Sequence, residues 1–345
     1  MITSIPISTR SPYAVTVGRG LLPRCGERLA ALHAPCSVML ACDDRVAALY
    51  ADGVTRSLTA AGFSVKRFVF PHGEENKTLA TLAELLEYTA ECALTRTDLM
   101  VALGGGVTGD MAGLAAALYL RGIDCVQIPT SLLAMVDSSV GGKTAVDLRW
   151  GKNLVGAFKQ PMGVLCDCDA LDTLPQEELK NGLAEAIKTA LLGDEELFKR
   201  MENGVERADL PAVVARCVEI KGEIVAADER DEGRRQLLNL GHTVGHGIEV
   251  LSGYAVPHGL AVAMGTAVIV RSFAPALAPR IEGALTANGL PIRCPYPAAE
   301  LAAAALRDKK RRGDRLTLAV PAAVGDCRLV TVGVEELAPI IERGL

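Results

Sequence analysis

The feature that most restricts the fold is an alternation, in the first half of the chain, of short apolar runs with longer amphipathic stretches. The runs SVMLAC (37–42), SVKRFVF (64–70), LMVALGGG (99–106) and DCVQIP (124–129) are bounded by turn residues and predict strands. Between them, Val46, Leu49, Val54 and Leu58 line one side of a helix over 44–61, and Leu79, Leu82, Leu85 and Leu86 do so over 78–93. Strands separated by helices pair in parallel, and a parallel sheet must be covered on both faces. Residues 1–168 therefore predict an α/β domain.

Beyond residue 170 the period changes. The segments 174–192, 208–228 and 235–251 are helical in pattern, and β-like segments return only at 315–321 and 327–332. Residues 169–345 predict a mainly α-helical domain, with neither a low-complexity linker nor an internal repeat. A length of 345 residues suits two domains, and 50% hydrophobic residues exclude a disordered chain. The balance of 36 Lys+Arg against 41 Asp+Glu, net −5, argues against nucleic acid or an anionic membrane as partner. It leaves a small anionic substrate open. The longest apolar stretch, 260–270, is interrupted by Gly265 and falls short of the roughly 18 residues that a membrane span requires. The N-terminus lacks the pattern of a signal peptide. Ten scattered cysteines, with only Cys166 and Cys168 close together, predict buried thiols in a reducing cytoplasm.

Three groups of residues carry chemistry. In LGGGVTGD (103–110) a strand gives way to a helix through glycines, which lets the backbone approach a pyrophosphate at the helix N-terminus. Asp43, ending an early strand, suits a ribose hydroxyl, so the first domain reads as Rossmann-like. Three of the five histidines fall in NLGHTVGHGIEVLSGYAVPHG (239–259). His242 and His246, four apart on a helix, suit a shared metal, with His258 as a third ligand and Glu185 in GLAEAIK as the best carboxylate. The bland alternative is satisfied core histidines and a helix-face glutamate. The segment 129–161 concentrates Asp137, Lys143, Asp147, Lys152 and Asn153, donors and acceptors suited to a phosphorylated polyol. Its GGKT (141–144) lacks the first glycine of a P-loop, which excludes nucleoside triphosphate binding on that motif.

The motifs PHGEENKT (71–78), LGGGVTGDMAG (103–113), RGIDCVQIPTSLLAMVDSSVGGKTAVD (121–147), GKNLVGAF (151–158), GLAEAIK (182–188), ADERDEGRRQLLNLGHTVGHGIE (227–249) and PHGLAVAMG (257–265) stand in the order of one family. The chain resembles the 3-dehydroquinate synthases, a branch of the sugar phosphate cyclases, over nearly its full length. The resemblance implies Zn²⁺ or Co²⁺ held by Glu185, His242 and His258, which makes His246 an acid–base residue rather than a ligand. It implies NAD contacts at Asp43, Glu74, Lys77, Gly105, Gly106, Asp110, Thr130, Ser131, Asp137, Lys143, Lys152 and Thr173. It places Asp137, Lys143, Lys152, Asn153, Lys188, Lys221, Arg235, Asn239, His246 and one lysine of the 309–310 pair at the substrate. Arg121 matches an arginine that homodimers of the family lend to the neighbouring subunit. Ser131 for threonine, Leu260 for glutamate and Arg45 for asparagine depart from the common pattern without removing a ligand or a catalytic cation.

The activity so implied is conversion of 3-deoxy-D-arabino-heptulosonate 7-phosphate to 3-dehydroquinate and phosphate in the shikimate pathway. It proceeds by transient NAD-dependent oxidation, phosphate elimination, reduction and aldol closure, which makes the enzyme a carbon–oxygen lyase. The alternatives are another cyclase, such as a 2-deoxy-scyllo-inosose synthase, and a metal-dependent alcohol or glycerol dehydrogenase.

Overall fold

The computed structural model describes residues 2–306 and 314–345, so the Lys309–Lys310 pair lies outside the described residues. The chain divides into two compact units, Met1–Leu174 and Pro175–Leu345. Among the described residues no helix is long and apolar enough to cross a membrane.

The first unit contains strands β1 (Thr3–Ile7), β2 (Tyr13–Gly18), β3 (Ser37–Asp43), β4 (Ser64–Phe70), β5 (Leu99–Gly104), β6 (Asp124–Pro129), β7 (Lys143–Leu148), β8 (Gly151–Phe158) and β9 (Gly163–Asp167). Its helices are α1 (Cys25–Ala30), α2 (Asp44–Val46), α3 (Asp52–Ala60), α4 (Leu79–Glu91) and α5 (Gly106–Leu118). Seven strands form one sheet in the order β1-β2-β9-β6-β5-β3-β4. It is antiparallel only at the β1–β2 edge and parallel from β2 onward. Period-2 alternation sends Val38, Leu40 and Cys42 to one face, against Leu29, Val54 and Leu58. Met39 and Ala41 go to the other, against Leu82, Leu85 and Leu114. Both faces are thus covered, as the alternation predicts.

Local details differ from the periodicity. The predicted strand 99–106 ends at Gly104, the last residue paired with β6, and Gly106 already opens α5. The predicted helix 44–61 is broken by a wide turn, Ala47–Ala51, between α2 and α3. Strands β1, β2, β7, β8 and β9 escape a reading by apolar runs, because they are short or half-buried. From β3 the chain goes outward to β4, then returns to the other side of β3 as β5. That reversal is a switch point, where the carboxyl ends of two strands diverge and leave a crevice.

The second unit contains α6 (Gln176–Gly193), α7 (Glu195–Met201), α8 (Leu210–Ala227), α9 (His242–Leu251), α10 (His258–Phe273), α11 (Ala278–Ala287), α12 (Ala298–Ala305), the hairpin β10 (Arg315–Ala323) and β11 (Asp326–Gly333), and α13 (Leu337–Gly344). The predicted helix 235–251 begins only at His242, because Gly241 takes the left-handed conformation (φ +76°) after a 3₁₀ turn, Arg234–Asn239. Helix α10 packs against both α9 and α6. Its contact with α9 is backbone-close: a Cβ on Gly265 would lie 2.1 Å from the Gly241 carbonyl oxygen. Only glycine allows that crossing.

Candidate functional site

In the first unit the candidate residues gather at the carboxyl ends of the parallel strands. Asp43 ends β3, and one of its carboxylate oxygens accepts the Val46 N–H at 2.9 Å, capping α2. Gly105 caps α5 and Gly106 is its first residue. A Cβ on Gly105 would stand 3.4 Å from Ser131 Oγ, and one on Gly106 would stand 3.2 Å from Ser138 Oγ. The bare backbone therefore keeps a space at the start of a 13-residue helix that a side chain would fill. A diphosphate suits such a space, because it accepts the free N–H groups of the first turn and meets the positive end of the helix dipole. Thr130 follows β6, with its N–H on the Gly104 carbonyl at 2.9 Å. Ser131 leads into the turn that contains Asp137, and Thr173 pairs with the Tyr50 hydroxyl.

Behind that turn lies a buried polar knot. Lys77, 4% exposed, donates to Asp110 at 2.6 Å and to the Asn153 side-chain oxygen at 2.7 Å. Glu74 stands 3.8 Å from Lys77 and 3.9 Å from Lys152. Burial works against the Lys77 charge, but Asp110 and Glu74 outweigh it and raise its pKa. For Asp110 burial prevails, and its carboxyl is pushed up in spite of Lys77. The short contact and the second acceptor on Lys77 support an ion pair. Lys143 opens β7, and Lys152 and Asn153 lie on β8. Arg121 follows Leu120 in a turn where both residues have positive φ, 69° and 50°.

In the second unit three helices converge on one carboxylate. Glu185 on α6 is fully buried, its oxygens have no aligned hydrogen bond, and Lys188 Nζ stands against Oε2 as an ion pair. His242 Nε2 lies 3.6 Å and His258 Nε2 3.5 Å from Glu185 Oε1. The far nitrogen of each ring faces an acceptor: His242 Nδ1 the Leu240 carbonyl at 3.1 Å, and His258 Nδ1 Glu249 Oε2 at 3.3 Å. A carbonyl or a carboxylate can only accept, so each Nδ1 carries the proton and, in a neutral ring, each Nε2 offers a lone pair toward Glu185. Burial opposes the Glu185 charge, yet Lys188 and His258 bring its carboxyl down to about 2. Burial likewise opposes a cationic His258, yet Glu185 and Glu249 bring its pKa up to about 10. The pocket thus favours positive charge where three ligand atoms meet. One carboxylate and two imidazoles, with ligand atoms within 4.8 Å of one another, fit a divalent ion of the Zn²⁺ or Co²⁺ type.

His246 faces its neighbours differently. Its ring lies 5.5 Å from that of His242 and 6.0 Å from that of His258, and it groups with Glu249 rather than Glu185. Lys188, Lys221 and Arg235 are all buried, a concentration of cations that the net charge hides. Arg235 donates to the Glu229 carbonyl at 2.6 Å, and its loop is fastened by Asp228, which accepts the N–H groups of Glu232, Gly233 and Arg235. Asn239 ends the 3₁₀ turn before His242. Glu249 and Asp228 are absent from the sequence-derived site, and Asp147 stands there only as one of the polar residues of segment 129–161. Of the first two, only Glu249 left a trace there, as an acid three residues beyond His246 in an apolar helix.

A glycine-rich turn at the switch point of a parallel sheet, in a chain whose helical unit carries a carboxylate–histidine–histidine centre, defines the class. Family models for the N-terminal and C-terminal parts of 3-dehydroquinate synthase match residues 67–181 and 182–311. The chain is 45% identical to the 3-dehydroquinate synthase of Caulobacter vibrioides (strain NA1000 / CB15N), over 94% of this chain and 94% of the relative. It is 41% identical to that of Streptococcus sanguinis (strain SK36), over 96% and 97%. Among solved structures it superposes on 2-deoxy-scyllo-inosose synthase complexed with carbaglucose-6-phosphate, NAD⁺ and Co²⁺, with TM-score 0.86, 25% identity and 100% of both chains covered. The 2-epi-5-epi-valiolone synthase of Streptomyces hygroscopicus subsp. jinggangensis 5008, with NAD⁺ and Zn²⁺ bound, gives TM-score 0.84 and 27% identity over 96% of each chain. The chain belongs to the 3-dehydroquinate synthase family.

Proposed function

We propose that the chain converts 3-deoxy-D-arabino-heptulosonate 7-phosphate to 3-dehydroquinate and phosphate, as a carbon–oxygen lyase of aromatic amino acid biosynthesis. The observation that carries this reading is the buried Glu185 carboxylate facing two histidine Nε2 atoms, in a chain of this family. NAD⁺ and the divalent ion, when bound, supply a reversible hydride acceptor and a Lewis acid at the carbinol that is oxidised.

The remaining work falls to the chain's own residues. Lys188 and Lys143, with Arg121 of a neighbouring subunit, neutralise the departing phosphate. Arg235 and Lys221 hold the carboxylate end, where a buried guanidinium gives bidentate contact. His246, with Asn239 near in sequence, moves protons at the sugar hydroxyls, a role that suits an imidazole, which titrates near neutral pH. Lys152 and Asn153 orient the hydroxyl groups. Asp43, Glu74, Lys77, Gly105, Gly106, Asp110, Thr130, Ser131, Asp137, Lys143, Lys152 and Thr173 hold the dinucleotide. The working form is a homodimer in the cytoplasm: exposed Leu118 and Leu120 flank the strained Arg121 turn, and all ten cysteines are free thiols.

Phosphate release from the heptulosonate phosphate, with Zn²⁺ and catalytic NAD⁺, tests the reading. Multiple turnovers per NAD⁺ without accumulated NADH are expected, and absence of phosphate release refutes it. Glucose 6-phosphate run alongside addresses the inosose synthase alternative, which is not favoured: the curated relatives above are 3-dehydroquinate synthases at 41–45% identity, against 25% for that cyclase. A dehydrogenase would accumulate NADH in step with product.

A further inference from the structure

The β7–β8 hairpin is irregular where it carries Lys152 and Asn153. Val146 pairs with Val155 and Leu148 with Gly151, so Asp147 alone opposes three residues, Lys152, Asn153 and Leu154. A bulge of this kind removes ladder partners and re-aims side chains. Asn153 lies in the left-handed region, φ 55°, which asparagine enters more readily than other non-glycine residues. Its backbone N–H, which the bulge takes out of the ladder, goes to Asp147 Oδ1 at 2.7 Å. The Asp147 N–H meanwhile donates to the Lys77 carbonyl at 2.8 Å, and Asp147 bridges to Thr78. Lys77 in turn holds the Asn153 side chain.

We propose that Asp147 is a positioning residue: its carboxylate closes the bulge and so fixes the direction of Lys152 and Asn153 relative to the Glu74–Lys77 loop. The hydrogen bond, and not the negative charge, is what the bulge requires, because the group to be satisfied is a neutral amide. The effect on turnover rests on the function proposed above, whereas the effect on the hairpin does not.

The hairpin carries its own reporter. Trp150, the only tryptophan in the chain, sits at the tip and is 78% exposed. Asp147→Ala and Asp147→Asn are compared in the full chain with NAD⁺ and Zn²⁺. Asp147→Ala is expected to lower kcat/KM by about 10–100-fold, the scale of a misplacement near 1 Å, and to lower Trp150 fluorescence anisotropy in the ligand-free protein. Asp147→Asn, whose amide oxygen still accepts, is expected to stay within about threefold on both readouts. Unchanged anisotropy in the alanine variant overturns the proposal. So does an asparagine variant as impaired as the alanine one, since charge would then be the operative property. If the wild type releases no phosphate, the functional reading fails, and the anisotropy comparison still decides the role of Asp147 in the hairpin. An alanine variant that unfolds leaves the asparagine variant to decide: near wild-type values support the hydrogen bond, and loss refutes it.

Discussion

Replacing His242 by alanine, beside the same change at His246, separates the two ways in which these histidines can serve a metal. His242 Nε2 faces Glu185 Oε1 at 3.6 Å, whereas His246 belongs to a group that lacks Glu185. Structural zinc sites of four ligands are worth about 10–16 kcal/mol, or about 2.5–4 kcal/mol per ligand. At about 1.4 kcal/mol per decade, losing His242 weakens Zn²⁺ binding by roughly 10²–10³-fold. The fold survives the change, because Glu185 keeps Lys188 as its ion-pair partner and so is not left as an unpaired buried charge. His246→Ala is expected to leave affinity within a few-fold while slowing turnover. Competition for Zn²⁺ against a chromophoric chelator, with metal content measured after dialysis, reads both. Full occupancy at unchanged affinity in His242→Ala refutes the ligand assignment. An equal loss in His246→Ala restores the i, i+4 pairing.

Further consequences concern packing and charge. Gly265→Ala places a Cβ 2.1 Å from the Gly241 carbonyl, so α9 and α10 must separate. A destabilisation of about 1–3 kcal/mol in chemical denaturation is expected, together with weaker Zn²⁺ binding, and a stable variant with unaltered affinity contradicts the crossing argument. Lys77→Met leaves Asp110, whose side chain is 17% exposed, without its cation and costs about 1–3 kcal/mol. Lys77→Met with Asp110→Leu recovers part of that loss in a thermal melt if the pair, rather than the fold around it, sets the cost. Burial opposes ionisation of Asp228, but the N–H groups of Glu232, Arg235 and Gly233 outweigh it and hold the carboxyl below its ordinary value. A depressed folded-state pKa contributes stability above the unfolded value, near pH 4, that disappears as pH falls through the folded one. The Tm difference between wild type and Asp228→Ala is therefore present at pH 7 and shrinks below about pH 4. A difference that is constant with pH argues against the carboxylate as the fastener.

How much was legible in advance varies with the range of the interaction. Strands at 64–70 and 124–129 coincide with β4 and β6, because a half-exposed edge strand and a continuously buried inner strand are both written in consecutive residues. The start of the helix pattern at 235–251 differs from that of α9, since a left-handed glycine leaves no mark on hydrophobic spacing. The ten cysteines read as core residues; six are buried, whereas Cys36, Cys92, Cys294 and Cys327 are half-buried, and burial pushes the Cys125 and Cys168 thiols up to about 12, which leaves those two inert. Glu249 left only a weak mark, an acid in an apolar helix, because the imidazole that it meets, His258, opens the next helix, nine residues on.

By itself the sequence determined the inventory: a glycine turn entering a helix, three histidines close together, one carboxylate on an apolar helix face, and lysines among small residues. Each of these is a local pattern, set by backbone periodicity and by the few residue types that fit a turn or bind a metal. Residue spacing alone left the i, i+4 pair open, and it is the tertiary structure that brings His242 and His258 to Glu185, because that depends on how closely α10 crosses α9, and the crossing is set by backbone contact between Gly241 and Gly265. It likewise decided that Asp147 opposes a bulge, since the register of a hairpin follows from pairing and not from the order of its residues.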